Sequence, residues 1–127
     1  MTEEEPHYIP GVCNIGKAEM KVRRNFAIKM GILSVIVAAA LIYFRVDKLW
    51  RLVLVLPFTS FGIGILQWYY KFCANFGLRG IFNFGELGKN IPVEMMDFAK
   101  ADRNKAIKIL VQGSLIGIVI TVIIYFI

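Results

Sequence analysis

Three stretches of this chain carry no charged residue: residues 30–44, 52–70 and 109–127. A helix advances about 1.5 Å per residue, and the hydrocarbon core of a bilayer is about 30 Å thick. The second and third stretches hold 19 residues each, so as helices they reach about 28 Å. The first holds 15 residues and becomes long enough when residues 26–29 join it. Lysine at the bilayer centre costs about 2.5–3.5 kcal/mol on insertion scales. Lys29 therefore belongs near the membrane edge, with its ammonium turned to the headgroups.

A soluble bundle fits poorly. A surface helix needs a polar stripe, and residues 109–127 offer only Gln112, Ser114 and Thr121, besides two glycines and Tyr125. The apolar fraction is 57%, above the roughly 45–50% of soluble domains. The acidic opening MTEEEPHYIP lacks the basic region of a cleavable signal peptide. No myristoylation or prenylation pattern is expected either.

The expected fold is an all-α membrane protein with three transmembrane helices. A flexible acidic tail covers residues 1–12, and a single transmembrane domain covers 13–127. Helices at about 15–44 and 49–72 form a hairpin across the tight turn RVDK, with Tyr43 and Trp50 at aromatic-belt depth. Pro57 lies inside the second helix and is expected to kink it. Gly62 and Gly64 allow a neighbouring backbone to approach. The segment CANFGLRGIFNFGELGKN is too polar to span and too apolar to float free, and reads as a loop or short broken helix in the interface. A long third helix is expected at about 93–126, its charged beginning standing outside the core. Gly113 and Gly117 form a GxxxG pair suited to helix packing, within the chain or in a homodimer.

The net charge is +6. In a soluble protein this would suggest nucleic acid. Here the cations flank apolar stretches, and the positive-inside rule accounts for them. Lys17, Lys21, Arg23, Arg24 and Lys29 precede the first stretch. Arg45, Lys48 and Arg51 separate the first and second. Lys71, Arg79, Lys89, Lys100, Arg103, Lys105 and Lys108 separate the second and third. With three crossings, twelve of these 15 basic residues share the side of the N-terminus and three lie opposite. The expected location is the plasma (inner) membrane, multi-pass, with the N-terminus cytoplasmic and the C-terminus outside.

Just before the first stretch stands GVCNIGKAEMKVRR. Asn14 is expected to cap the first helix. Gly16 permits close approach, and Glu19 suits the positive end of the helix. Lys17, Lys21 and Arg24 recur at helical spacing and form a basic face toward anionic headgroups. The hairpin brings Cys13 and Cys73 to one membrane face. Inert thiols, a redox or sulfur-carrying pair, and a disulfide or metal site are the three readings. A reducing cytoplasm opposes a stable disulfide. A metal has little to hold it, because His7 is the single histidine and no CxxC occurs. Cys13 beside a helix start and Cys73 between Lys71 and Arg79 both sit where thiolate is favoured. No paired carboxylates, Ser/His/Asp set, Walker loop or Rossmann fingerprint is present. Polar residues for an ion path through the membrane are missing, which ranks a transporter last.

The opening CNIGKAEMKVRR resembles that of the YgaP-like inner-membrane domains, small transmembrane hairpins sometimes fused to rhodanese domains. Asn14, Gly16, Glu19 and Arg23 fall on the family's opening pattern, and Cys73 falls where a later cysteine would stand. Met20 replaces the first arginine, and Ala74 follows Cys73 where the family often has proline. The resemblance covers about residues 13–80 and omits the third helix. It implies a membrane-anchored, dimeric hairpin with a link to sulfur handling; any rhodanese partner would be a separate protein.

The sequence thus favours a non-enzymatic membrane anchor or interaction module. Its cytoplasmic face would use Asn14, Gly16, Glu19, Arg23, Arg24, Arg79 and the aromatic residues Phe76, Phe82 and Phe84. The alternative is a thiol- or sulfur-handling protein using Cys13 and Cys73. No cofactor, metal or nucleic acid is expected. The partners are the lipid bilayer and either a second copy or another membrane protein.

Overall fold

The computed structural model describes residues 8–127. Helix α1 runs Lys17–Tyr43. A 3-10 helix at Lys48–Leu54 leads into α2, Val55–Tyr70. Short α3, Ala74–Arg79, is followed by strands β1, Ile81–Phe82, and β2, Ile91–Pro92, paired antiparallel. Helix α4 runs Met96–Phe126. Three helical spans, Lys17–Tyr43, Lys48–Tyr70 and Met96–Phe126, are long and apolar enough to cross a membrane. The chain is an all-α multi-pass membrane protein.

Helix α2 lies between α1 and α4 and packs against both. Lipid tails are as apolar as leucine, so close backbone packing must hold such helices together. Small residues supply it. A Cβ on Gly62 would sit 2.7 Å from the Gly113 carbonyl oxygen, and one on Gly117 would sit 2.6 Å from the Thr59 nitrogen. On the other side of α2, a Cβ on Gly64 would meet the Ala27 Cβ of α1 at 3.2 Å. The GxxxG pair is thus occupied within the chain. Hydroxyls inside the spans return to their own helices: Ser34 donates to the Met30 carbonyl at 2.6 Å and Thr121 to Gly117 at 2.7 Å.

Two boundaries differ from expectation. Pro57 sits beside a change of helix type. The 3-10 helix ends at Leu54 and passes directly into α2, whose third residue is the proline, so the backbone donor it lacks falls at the junction of the two helix types. The last helix starts at Met96 and not near residue 93, because Pro92 belongs to β2 and the Val93 amide donates to the Gly80 carbonyl at 2.7 Å.

Helices α1 and α2 end alike. Arg45 and Lys71 adopt left-handed backbone angles (φ 52° and 55°). The next residues, Val46 and Phe72, donate back to the Leu41 and Gln67 carbonyls, a Schellman closure built without glycine. A basic residue there complements the negative helix end. At the far end, Arg51 donates to the Ile124 and Tyr125 carbonyls at 3.0 and 3.4 Å, joining the Ile127 amide on the Ile124 carbonyl in the last turn of α4.

A valine at Gly117 is expected to lower stability by about 1–3 kcal/mol through overpacking. Gly85→Ala, whose Cβ would meet nothing closer than 3.9 Å, is expected to be neutral. Thermal unfolding in detergent checks the pair.

Candidate functional site

The chemically distinctive residues gather in a cap at the α1-start, α2-end of the bundle. It is built from residues 8–16, the segment between α2 and α4, and the first turns of α4. Lys71 ends α2 in its left-handed turn, Phe72 is fully buried against Ala106 and Ile109 of α4, and Cys73 opens α3. That path brings the Cys73 backbone to Asn14. The Cys73 amide donates to Asn14 Oδ1 at 2.7 Å, and Asn14 Nδ2 donates to the Cys73 carbonyl at 3.2 Å. The Asn14 amide donates to the Lys71 carbonyl at 3.2 Å. Asn14 was expected to cap α1. The helix instead begins after Gly16 with no side-chain cap, because the Asn14 side chain is committed to the end of the hairpin.

Asn83 is the second fixed point and is 1% exposed. Its amide donates to the Asn14 carbonyl at 2.9 Å, and its carbonyl accepts from the Gly16 amide at 2.8 Å. Its Oδ1 accepts from the Gly85 amide and its Nδ2 donates to the Glu86 carbonyl, folding the turn on itself. Gly16 is required here, since a Cβ would stand 2.8 Å from the Phe84 Cα.

Glu19 and Arg23 form an ion pair at 3.2 Å one turn apart on α1. Arg23 Nη2 also donates to Cys73 Sγ at 3.0 Å, and its guanidinium lies over the Phe76 ring at 5.7 Å. Both cysteines are buried thiols outside any disulfide. Thiolate was expected to be favoured at Cys13. Burial raises its pKa instead, outweighing the backbone hydrogen bond to Ile9 and the charge of Lys71. Lys17, Lys21, Arg24 and Arg79 are exposed. The structure therefore brings Asn14, Gly16, Glu19, Arg23 and Cys73 together and leaves Arg24 and Arg79 at the surface.

Three cap residues were not among the expected site residues: Gln67, Tyr8 and Asp102. Gln67 Oε1 accepts from the Ala74 amide at 2.9 Å, serving α3 from the last turn of α2. Asp102 is fully buried. It accepts from the Tyr8 hydroxyl at 2.6 Å and the Gly11 amide at 2.7 Å, strapping residues 8–12 across α4. Residues 1–7 of the expected tail, with His7, lie outside the described residues. A signal for Asp102 existed. Its spacing from Ala106, Ile109, Gly113, Gly117 and Thr121 puts all six on the buried face of α4. Asp102 and Lys105, three residues apart on α4, are not ion-paired; Lys105 Nζ lies 3.8 Å from the Tyr70 ring centroid.

Among the described residues no cluster of three or more His, Cys, Asp or Glu could hold a metal. Comparison of the chain with protein-family models, curated proteins and solved structures finds no match.

Two tests follow from the cap. Removing the Asn14 side chain strands buried backbone groups at about 1–3 kcal/mol each. In a Cys13→Ser background, Asn14→Ala is therefore expected to speed maleimide labelling of Cys73, which is slow in the parent. The second test uses Tyr8, whose pKa is held well above the ordinary value of about 10 by burial first, then by the hydrogen bond to Asp102 and its charge. The folded-state value exceeds the unfolded one, so the strap stabilises fully below about pH 10 and loses that contribution as pH rises further. The stability gap between the parent and Tyr8→Phe should be widest below about pH 9 and shrink toward about pH 11, as read by unfolding midpoints.

Proposed function

We propose that this chain is a small non-enzymatic protein of the inner (plasma) membrane, with its cap in the cytoplasm and its C-terminus outside. It acts as a membrane anchor or interaction module through the cap. The partition of basic residues carries the reading: twelve lie on the side of the N-terminus and three on the other. Lys and Arg bias in short loops sets orientation. The hydrogen bonding of the cap supports a binding role, because Asn14, Gln67, Asn83 and Asp102 are engaged within it. Exposed Val12, Leu78, Leu87 and Met96 beside exposed cations suit contact with another membrane protein or a second copy. The resemblance to YgaP-like domains at the opening motif points the same way.

Thiol or sulfur handling at Cys13 and Cys73 is the second reading. The Arg23–Cys73 contact at 3.0 Å is the observation that favours it. Burial of both thiols opposes it. That reading requires fast maleimide labelling of Cys73 in the native chain.

Reporter fusions check the leading proposal. A reporter active only outside the cytoplasm should work at the C-terminus and fail at the N-terminus. Cross-linking through Lys89 and Lys100 in intact membranes should capture a second copy or a membrane-protein partner. Reversed reporters, or a monomer with no cross-linked species, would overturn it.

A further inference from the structure

An open groove of about 800 Å³ lies between α3 and the first turns of α4. That volume is in the range of small-molecule sites. Arg79 enters it from the last turn of α3, and Lys100 and Arg103 enter from α4. Among the described residues Asp97 is the single carboxylate on its lining, so the described lining carries a net positive charge. Asp97, Lys100 and Arg103 are spaced by three and share one helix face. Among the described residues no carboxylate lies within ion-pair distance of Arg79, Lys100 or Arg103. The same groove is lined by Leu78 and Met96, both exposed. It is therefore amphipathic, with uncommitted cations beside apolar side chains.

Depth narrows the ligand. The uncharged stretch of α4 starts at Ile109. Arg103 lies about 9 Å before it along the helix axis, and the headgroup layer is about 5–8 Å deep on each side. The long side chain of Arg103 covers the difference, and Lys100 follows one turn farther out. We infer that this groove seats the phosphate ester of an anionic phospholipid, with Arg79, Lys100 and Arg103 around the phosphate and Leu78 beside the glycerol. Basic pockets at the ends of membrane helices bind such headgroups. The inference rests on the helices lying in a bilayer, as proposed above, and not on which side the cap faces.

The test is native mass spectrometry of the delipidated full chain in neutral detergent. The probes are phosphatidylglycerol, phosphatidylcholine with the same acyl chains, and sn-glycerol 3-phosphate. Phosphatidylglycerol is expected to bind more tightly than phosphatidylcholine, and sn-glycerol 3-phosphate not to compete. Arg79→Gln, Lys100→Gln and Arg103→Gln are each expected to weaken phosphatidylglycerol about fivefold. All three positions are exposed, so unfolding midpoints should stay unchanged. Lys89→Gln, a surface cation paired with Glu86, should leave binding intact. Equal binding of the two lipids would overturn the proposal, as would equal weakening by Lys89→Gln, which marks diffuse charge. Displacement of lipid by sn-glycerol 3-phosphate at matched concentration would also overturn it and assign the groove to a soluble phosphate ester. None of these outcomes depends on the reporter or cross-linking results, so the two proposals fail separately.

Discussion

The cap depends on a single side-chain amide. Asn14 presents its oxygen to the Cys73 amide and its nitrogen to the Cys73 carbonyl, and its own backbone reaches Lys71 and Asn83. Each such bond contributes about 0.5–1.5 kcal/mol net, but stranding a buried partner costs about 1–3 kcal/mol. The asymmetry matters most here, because Asn14 is fully buried and Cys73 nearly so. One residue thus ties the entrance of α1 to the exit of α2 and fixes where the chain between α2 and α4 crosses. Asn83 repeats the device from that crossing segment, joining Asn14 and Gly16 by backbone and its own turn by side chain.

The two parts of the molecule solve different problems. Among the spans, apolar burial gives no preference for helix over lipid, so specificity comes from shape: Thr59, Gly62 and Ile63 of α2 against Gly113 and Gly117 of α4. In the cap, buried polar groups must find partners or lose the free energy of hydration. Gln67, Asn14, Asn83, Glu19 and Asp102 all do. The shape match aligns the helices, and the polar match fixes the chain that joins them. The Arg23 contact with Cys73 belongs to this second system, whatever chemistry the thiol has.

The architecture was legible because its cause is local. Uncharged stretches of 19 residues announce spans, and small residues at spacing four announce packing faces. The cap was only half legible. Asn14, Gly16, Glu19 and Arg23 stood out as a motif, but which group each would meet depended on residues 50 to 69 positions away. Asn14 resembles a helix cap in sequence and acts as a cross-chain clasp in the fold, since both roles ask for the same short amide. Asp102 was lost among the charges of KADRNK, where its solvent-facing neighbours Arg103 and Asn104 disguise it. Tyr8 sits in a stretch whose proline and glycine suggest looseness, yet Gly11 (φ 70°) is what turns the backbone amide onto Asp102.

The Arg51 contact gives the bundle an uneven fastening. At the capped end, two asparagines, a glutamine, an aspartate and an ion pair cross-link every segment. At the other end, the start of the second span is joined to the tip of α4 by one guanidinium on two carbonyls. Local opening follows the density of such cross-links. The molecule should therefore have a fixed pole and a breathing pole, with amide hydrogens near Phe126 expected to exchange before those around Asn14 and Cys73.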